Sequence, residues 1–133
     1  MKITQLATVI VPVSDQDRAI TFYVETLGFE KRLDFSYDSG ERWVEVVPPG
    51  AGTSLTLVPP PEGEPVGIET RVILLTADAE AHRAELRARG VDVDEILGAG
   101  AVVYWGGAPL AGNPPMFILR DPDGNSLLIV QGP

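Results

Sequence analysis

Thr8-Val-Ile-Val-Pro-Val-Ser-Asp15 is an apolar run that ends in an Asp, and Arg71-Val-Ile-Leu-Leu-Thr-Ala-Asp78 repeats it 63 positions later (78 − 15). Half of a 133-residue chain separates the two, so the sequence reads as a tandem repeat of one unit. Each Asp has a short side-chain acceptor suited to the free N–H groups of a first helical turn. After Asp15, Ile20, Tyr23 and Leu27 recur at helical spacing, with Phe22 beside them, before Gly28. After Asp78, Ala79, His82 and Leu86 form the matching stripe, before Gly90. Each unit therefore opens strand then helix.

Strand signals follow each helix. Residues 30–37 lead through Asp38-Ser39-Gly40 into residues 42–47, which predicts a hairpin, and residues 54–58 predict a further strand. The first module spans about residues 1–58 and the second about 68–133. Between them lies a stiff linker, 59–67, with three consecutive prolines. In the second module, residues 91–96, 117–120 and 126–130 predict strands, the last two joined by Asp121-Pro122-Asp123-Gly124-Asn125. Residues 98–115, rich in Gly and Pro, read as a long, partly ordered loop.

Composition excludes several function classes. Hydrophobic residues at 44% and charged residues at 22% suit one globular domain. No apolar run approaches the roughly 20 residues that cross a bilayer, and the first residues lack a secretory core, which predicts a cytoplasmic protein without a membrane partner. Zero Cys removes disulfides and thiolate chemistry. A net charge of −9 with scattered basic residues argues against nucleic acid. It can equally attract a cationic ligand or simply keep the surface solvated. The excess of Arg over Lys, with abundant Ala and Gly, points to a GC-rich bacterial genome.

Phe22-Tyr23, Leu27-Gly28-Phe29 and Phe117-Ile-Leu-Arg-Asp121-Pro-Asp-Gly-Asn125, in this order within a doubled βαβββ pattern, resemble the vicinal oxygen chelate superfamily. That superfamily includes glyoxalase I, extradiol dioxygenases and the bleomycin-resistance proteins. The resemblance spans nearly the whole chain. It implies an α+β fold: two βαβββ modules in tandem forming a curved mixed sheet around a cleft, with helices outside. In the family's metal enzymes His, Gln or Glu from both modules hold a divalent cation in that cleft. The matching places here are Thr8, seven before Asp15; Arg71, seven before Asp78; Leu128, three after Asn125; and the strand 54–58. None offers a carboxylate or imidazole, so no metal and no cofactor are expected.

Other candidates are few. His82 lies on the helix stripe that faces the sheet and reads as structural. Glu69 reads as a charge partner of Arg71 or a solvated residue, and the face of Glu45 depends on strand register. There is no nucleophile elbow, phosphate loop or dinucleotide fingerprint. Family members without metal ligands are homodimers that sequester a small molecule. For such binding the chain has Tyr37, Trp43, Tyr104, Trp105 and Met116. Trp43 and Trp105 read as semi-exposed. Arg71, as the permanent cation at a metal place, can clamp an oxyanion or pair with an acidic neighbour. Two classes stand: a metal-free, dimeric small-molecule-binding protein, and a lyase, isomerase or dioxygenase-like enzyme with relocated ligands. A purely structural or regulatory binding module is a third.

Overall fold

The computed structural model describes residues 1–100 and 102–133, which separate into two compact units, Met1–Val66 and Gly67–Pro133. In the first unit β1 (Thr8–Pro12) leads into α1 (Gln16–Ile20), a π-helical stretch (Thr21–Thr26), β2 (Glu30–Ser36), β3 (Arg42–Val47) and β4 (Ser54–Val58). The second has β5 (Glu69–Thr76), α2 (Ala79–Ala88), β6 (Asp92–Val93), β7 (Val103–Trp105), β8 (Ala108–Leu110), β9 (Met116–Arg120) and β10 (Ser126–Gln131). The strand orders are β1-β4-β3-β2 and β5-β10-β9-β6. In each sheet the first and last strands pair in parallel and the remaining pairs are antiparallel. The sequence repeat is thus a repeat of topology, and the chain is α+β.

Both helix caps form. Asp15 Oδ1 accepts from Arg18 N and Asp78 Oδ1 from Ala81 N, each at 3.0 Å, which stabilises each helix start by about 1 kcal/mol. The first helix departs from simple 3.6-residue spacing. Leu27 N donates to Phe22 O, five residues back, which widens the turn. That widening rotates the buried face onto Ala19, Phe22 and Tyr23, leaving Ile20 and Leu27 half-buried. Tyr23 meets Phe22 edge-on at 5.2 Å and Phe29 at 5.8 Å. In α2 the expected stripe forms: Ala79 and Leu86 are buried and His82 is half-buried.

Strand register separates the faces. In the first sheet Val11, Val44, Val46, Leu55 and Leu57 build the core on the side of α1, which packs across β4. In the second, Leu119 pairs with Leu127 and Phe117 with Ile129 on the side of α2. The opposite faces differ between the units. The first is uncovered and exposes Ile10, Leu33, Phe35 and Tyr37. The second is roofed over β9 and β10 by the β7–β8 hairpin, where Trp105 and Leu110 pack on Met116 and Leu128, with Leu97, Ile118 and Val130 at the margin. Ile73 and Leu75 of β5 stay exposed.

That hairpin corrects the expectation of a loop over residues 98–115. Trp105 pairs with Ala108 across a two-residue Gly106-Gly107 turn, both at positive φ, 57° and 81°. This backbone matches the twist of the flanking strands and suits glycine. Ala101, also inside the expected loop, lies outside the described residues. The strand expected over residues 91–96 shrinks to Asp92–Val93, with one further bridge from Leu97 to Met116.

Candidate functional site

On the open face of the first unit, a polar patch is set among apolar side chains. Trp43 and Glu45 alternate with Val44 and Val46 along β3, so both point away from the core. The indole Nε1 of Trp43 donates to Glu45 Oε2 at 2.8 Å. A bulge in β2 between Lys31 and Leu33 swings Arg32 over the same carboxylate. Its Nε and Nη2 donate to Glu45 Oε1 at 3.2 and 2.6 Å, while Nη1 donates to Gly52 O at 3.1 Å. Ser54 Oγ lies 2.9 Å from Glu45 Oε1 and 2.8 Å from Thr8 Oγ1, which is 2.7 Å from Thr56 Oγ1. The indole N–H, followed by Arg32 and Ser54, holds the Glu45 carboxyl below its ordinary pKa against the opposing effect of burial.

This network has a pH consequence. A carboxyl with a depressed folded-state pKa contributes stability above its unfolded pKa and loses it as pH falls through the folded one. The Glu45→Gln variant should therefore be less stable than wild type at pH 7. The gap should begin to close below the ordinary pKa of 4.5 and vanish once Glu45 is protonated. Urea midpoints measured from pH 7 downward check this; a gap independent of pH would show that the Glu45 charge contributes nothing. A second cluster supports the sheet edge. Arg42 donates from Nε and Nη2 to both oxygens of Asp34, each at 2.8 Å, and from Nη1 to Asp17 in the first turn of α1. Arg42 and then Lys31 hold the Asp34 carboxyl far below the usual carboxylate range.

In the second unit the arrangement around Arg71 departs from the sequence reading. Thr8 pairs with Ser54, and the equivalent Ser126 pairs with Glu69, not Arg71. Between Ser126 and Leu128 the register slips, so four steps along β5 (69 to 73) face two along β10. Counting seven back from Asp78 therefore stops two residues short of the pairing position, Glu69. Arg71 lies in this bulge at φ 64°, and is the non-glycine residue at positive φ among those described. That conformation costs about 1–2 kcal/mol. Thr70 braces the bulge, donating from Oγ1 to Ser126 O at 2.7 Å and accepting from Val72 N at 3.1 Å.

Nor do Glu69 and Arg71 pair with each other. Both grip one residue of the hairpin turn: Gly106 N donates to Glu69 Oε1 at 2.9 Å, and Arg71 Nε donates to Gly106 O at 3.0 Å. Trp105, read as semi-exposed, is instead buried, with Nε1 donating to Ser126 Oγ at 2.8 Å. Met116 is buried beneath it. Tyr104 and Tyr37 are exposed, and Trp43 is half-buried. Leu128 is buried under the hairpin. His82 pairs through Nδ1 with Thr76 Oγ1 at 3.0 Å and meets Phe117 edge-on, a packing role. Among the described residues no three His, Asp or Glu side chains converge as a metal site.

Sequence reading missed Arg32, because a bulge and not its position aims it at Glu45. It also missed Ser126 as the partner of Trp105. The hairpin itself had a signal in Gly106-Gly107 between two apolar triplets.

The comparisons agree with this geometry. The model of the glyoxalase/bleomycin resistance protein/dioxygenase superfamily matches residues 5–129. An antibiotic-binding protein of Streptomyces sp. CB03234, TnmS3, is 38% identical, with a TM-score of 0.76 over 100% of this chain and 99% of that one. A superfamily member from Sphaerobacter thermophilus is 32% identical, with a TM-score of 0.82 over 98% of each chain. The Bacillus subtilis protein YetH is 30% identical over 96% of this chain and 98% of its own length. No helix among the described residues is long and apolar enough to cross a membrane. With its doubled βαβββ topology and a family match along nearly its whole length, the chain belongs to the glyoxalase/bleomycin resistance protein/dioxygenase superfamily.

Proposed function

We propose that this protein is a metal-free, homodimeric small-molecule-binding protein that sequesters or senses its ligand. The observation that carries this reading is what occupies the places where the family's metal enzymes hold their ligands. Thr8 and Thr56 are hydrogen-bonded to each other, Leu128 is packed under Trp105, and Arg71 is a cation in a bulge. None of these supplies a carboxylate or imidazole. Glu69, which pairs with Ser126 as Thr8 pairs with Ser54, is a carboxylate, but its Oε1 accepts from the Gly106 N–H. Among the described residues no group of three His, Asp or Glu side chains forms that could hold a metal. The similarity to an antibiotic-binding protein supports a ligand-binding role.

The first unit's open face suits such a ligand. Phe35 and Tyr37, edge-on at 4.8 Å, stand with Leu33 and Ile10 beside a patch whose Arg32 and Glu45 neutralise each other. Apolar rings with a few oriented polar groups are what small-molecule sites use. In this reading Tyr37 and Trp43 are contact residues of the first unit and Tyr104 and Arg71 of the second, with Trp105 of the hairpin and Met116 beneath it in support. Native mass spectrometry on protein purified without added metal or chelator tests it. Twice 14.2 kDa with no metal increment is the expected mass, with any excess being organic. A stoichiometric divalent metal would replace this reading with the lyase or dioxygenase-like one.

A further inference from the structure

We infer that Arg71 is a pre-aimed hook for a carboxylate or similar oxyanion, and that Glu69 and Gly106 are its positioning residues. The inference rests on the ligand-binding role proposed above and adds the chemical class that the second unit selects. Arg71 adopts a backbone conformation that L residues avoid, inside a bulge that breaks the β5–β10 register. Strain of this kind persists only where the surroundings hold it. Here they hold it at two points. Glu69 fixes the Gly106 N–H and the Gly106 carbonyl fixes Arg71 Nε, so the peptide on either side of one glycine sets the guanidinium plane.

The contact is close. A Cβ on Gly106 would lie 2.7 Å from Arg71 Cγ, so no larger residue fits without displacing the arginine. With Nε spent on the turn, the two terminal amino groups remain, and among the described residues no ion pair or hydrogen bond occupies them. Glu69, the adjacent carboxylate, is turned away onto a backbone N–H. In a chain of net charge −9, an exposed arginine held off its nearest acid presents a donor edge matched to two oxygens.

The test compares 1-naphthoate with 1-naphthamide, a charged and a neutral ligand of the same ring, by calorimetric titration of the full chain. Wild type should prefer the carboxylate by about tenfold, as one charge-assisted contact allows. Arg71→Ala should abolish the preference. Arg71→Lys, which keeps the charge but has no Nε to anchor, and Gly106→Ala, which keeps the guanidinium but displaces it, should each reduce it below about twofold. Glu69→Gln, which retains an acceptor for Gly106, should restore most of the preference lost in Glu69→Ala. Retained hydrogen-exchange protection in residues 103–110 verifies that each variant keeps its hairpin. An unchanged preference in Arg71→Ala would overturn the hook; an unchanged preference in both Arg71→Lys and Glu69→Ala would overturn the positioning. Equal binding of both probes to wild type removes the anion site and leaves the binding role intact. Binding of neither also removes it, and the native mass spectrum then judges the role separately.

Discussion

Replacing Asn125 with Ala lowers the unfolding free energy by roughly 3–5 kcal/mol. Asn125 is fully buried and its side chain ties the second unit's entry to its closing turn. Oδ1 accepts from Gly67 N at 2.9 Å and Ile68 N at 3.0 Å, while Nδ2 donates to Asp121 Oδ2 at 2.9 Å. Asp121 in turn accepts from Asp123 N and Asn125 N through Oδ1. Alanine leaves two N–H groups and an oxygen of the buried Asp121 carboxylate without this partner, and a polar group orphaned where water does not reach costs more than the bond it made. Among the described residues no buried side-chain nitrogen or oxygen lacks a partner, so the variant would introduce a defect the native fold avoids. Urea unfolding should show the midpoint falling with little change in slope. A loss under about 1 kcal/mol would mean that water satisfies the turn as well as Asn125 does.

Trp105→Ala should cost a similar 3–5 kcal/mol and should also act locally. The indole contributes packing on Met116 and Leu128 and one hydrogen bond, to Ser126 Oγ. Removing it deletes the main attachment of the β7–β8 hairpin and uncovers the sheet face beneath. Hydrogen exchange should therefore accelerate in residues 103–110 far more than in β10. Ser126→Ala, which leaves the buried indole N–H without its partner but keeps the packing, should cost about 1–3 kcal/mol and leave the hairpin protected. Equal acceleration throughout the unit would show that the hairpin and sheet unfold as one.

Both effects fall in the second unit, where the two repeats diverge most. The first unit leaves the sheet face opposite its helix open, with a self-neutralised polar patch. The second covers the β9–β10 part of the equivalent face with an inserted hairpin, fastened through Glu69, Arg71 and Ser126, and leaves Ile73 and Leu75 exposed. Duplication of one βαβββ unit has yielded one aromatic face and one partly roofed face with an exposed cation at its rim.

Local physics made the repeat legible from sequence. An apolar run ending in Asp is a strand followed by a capped helix wherever it occurs, because cap and strand depend on neighbours within a few residues. The Asp121–Asn125 turn was readable for the same reason. So was the absence of thiols, since residue identity needs no folding. The carboxylate of Glu69 at the place that pairs as Thr8 does was not, because strand register decides it. Tertiary structure alone decided where three side chains act. The bulge in β5 moved Arg71 off the pairing position that cap spacing assigns to it, and the bulge in β2 brought Arg32 to Glu45. Trp105 went from a residue flanked by glycines to the buried centre of a roof. Bulges and long-range packing arise from pairing between segments distant along the chain, and register within one segment does not contain them.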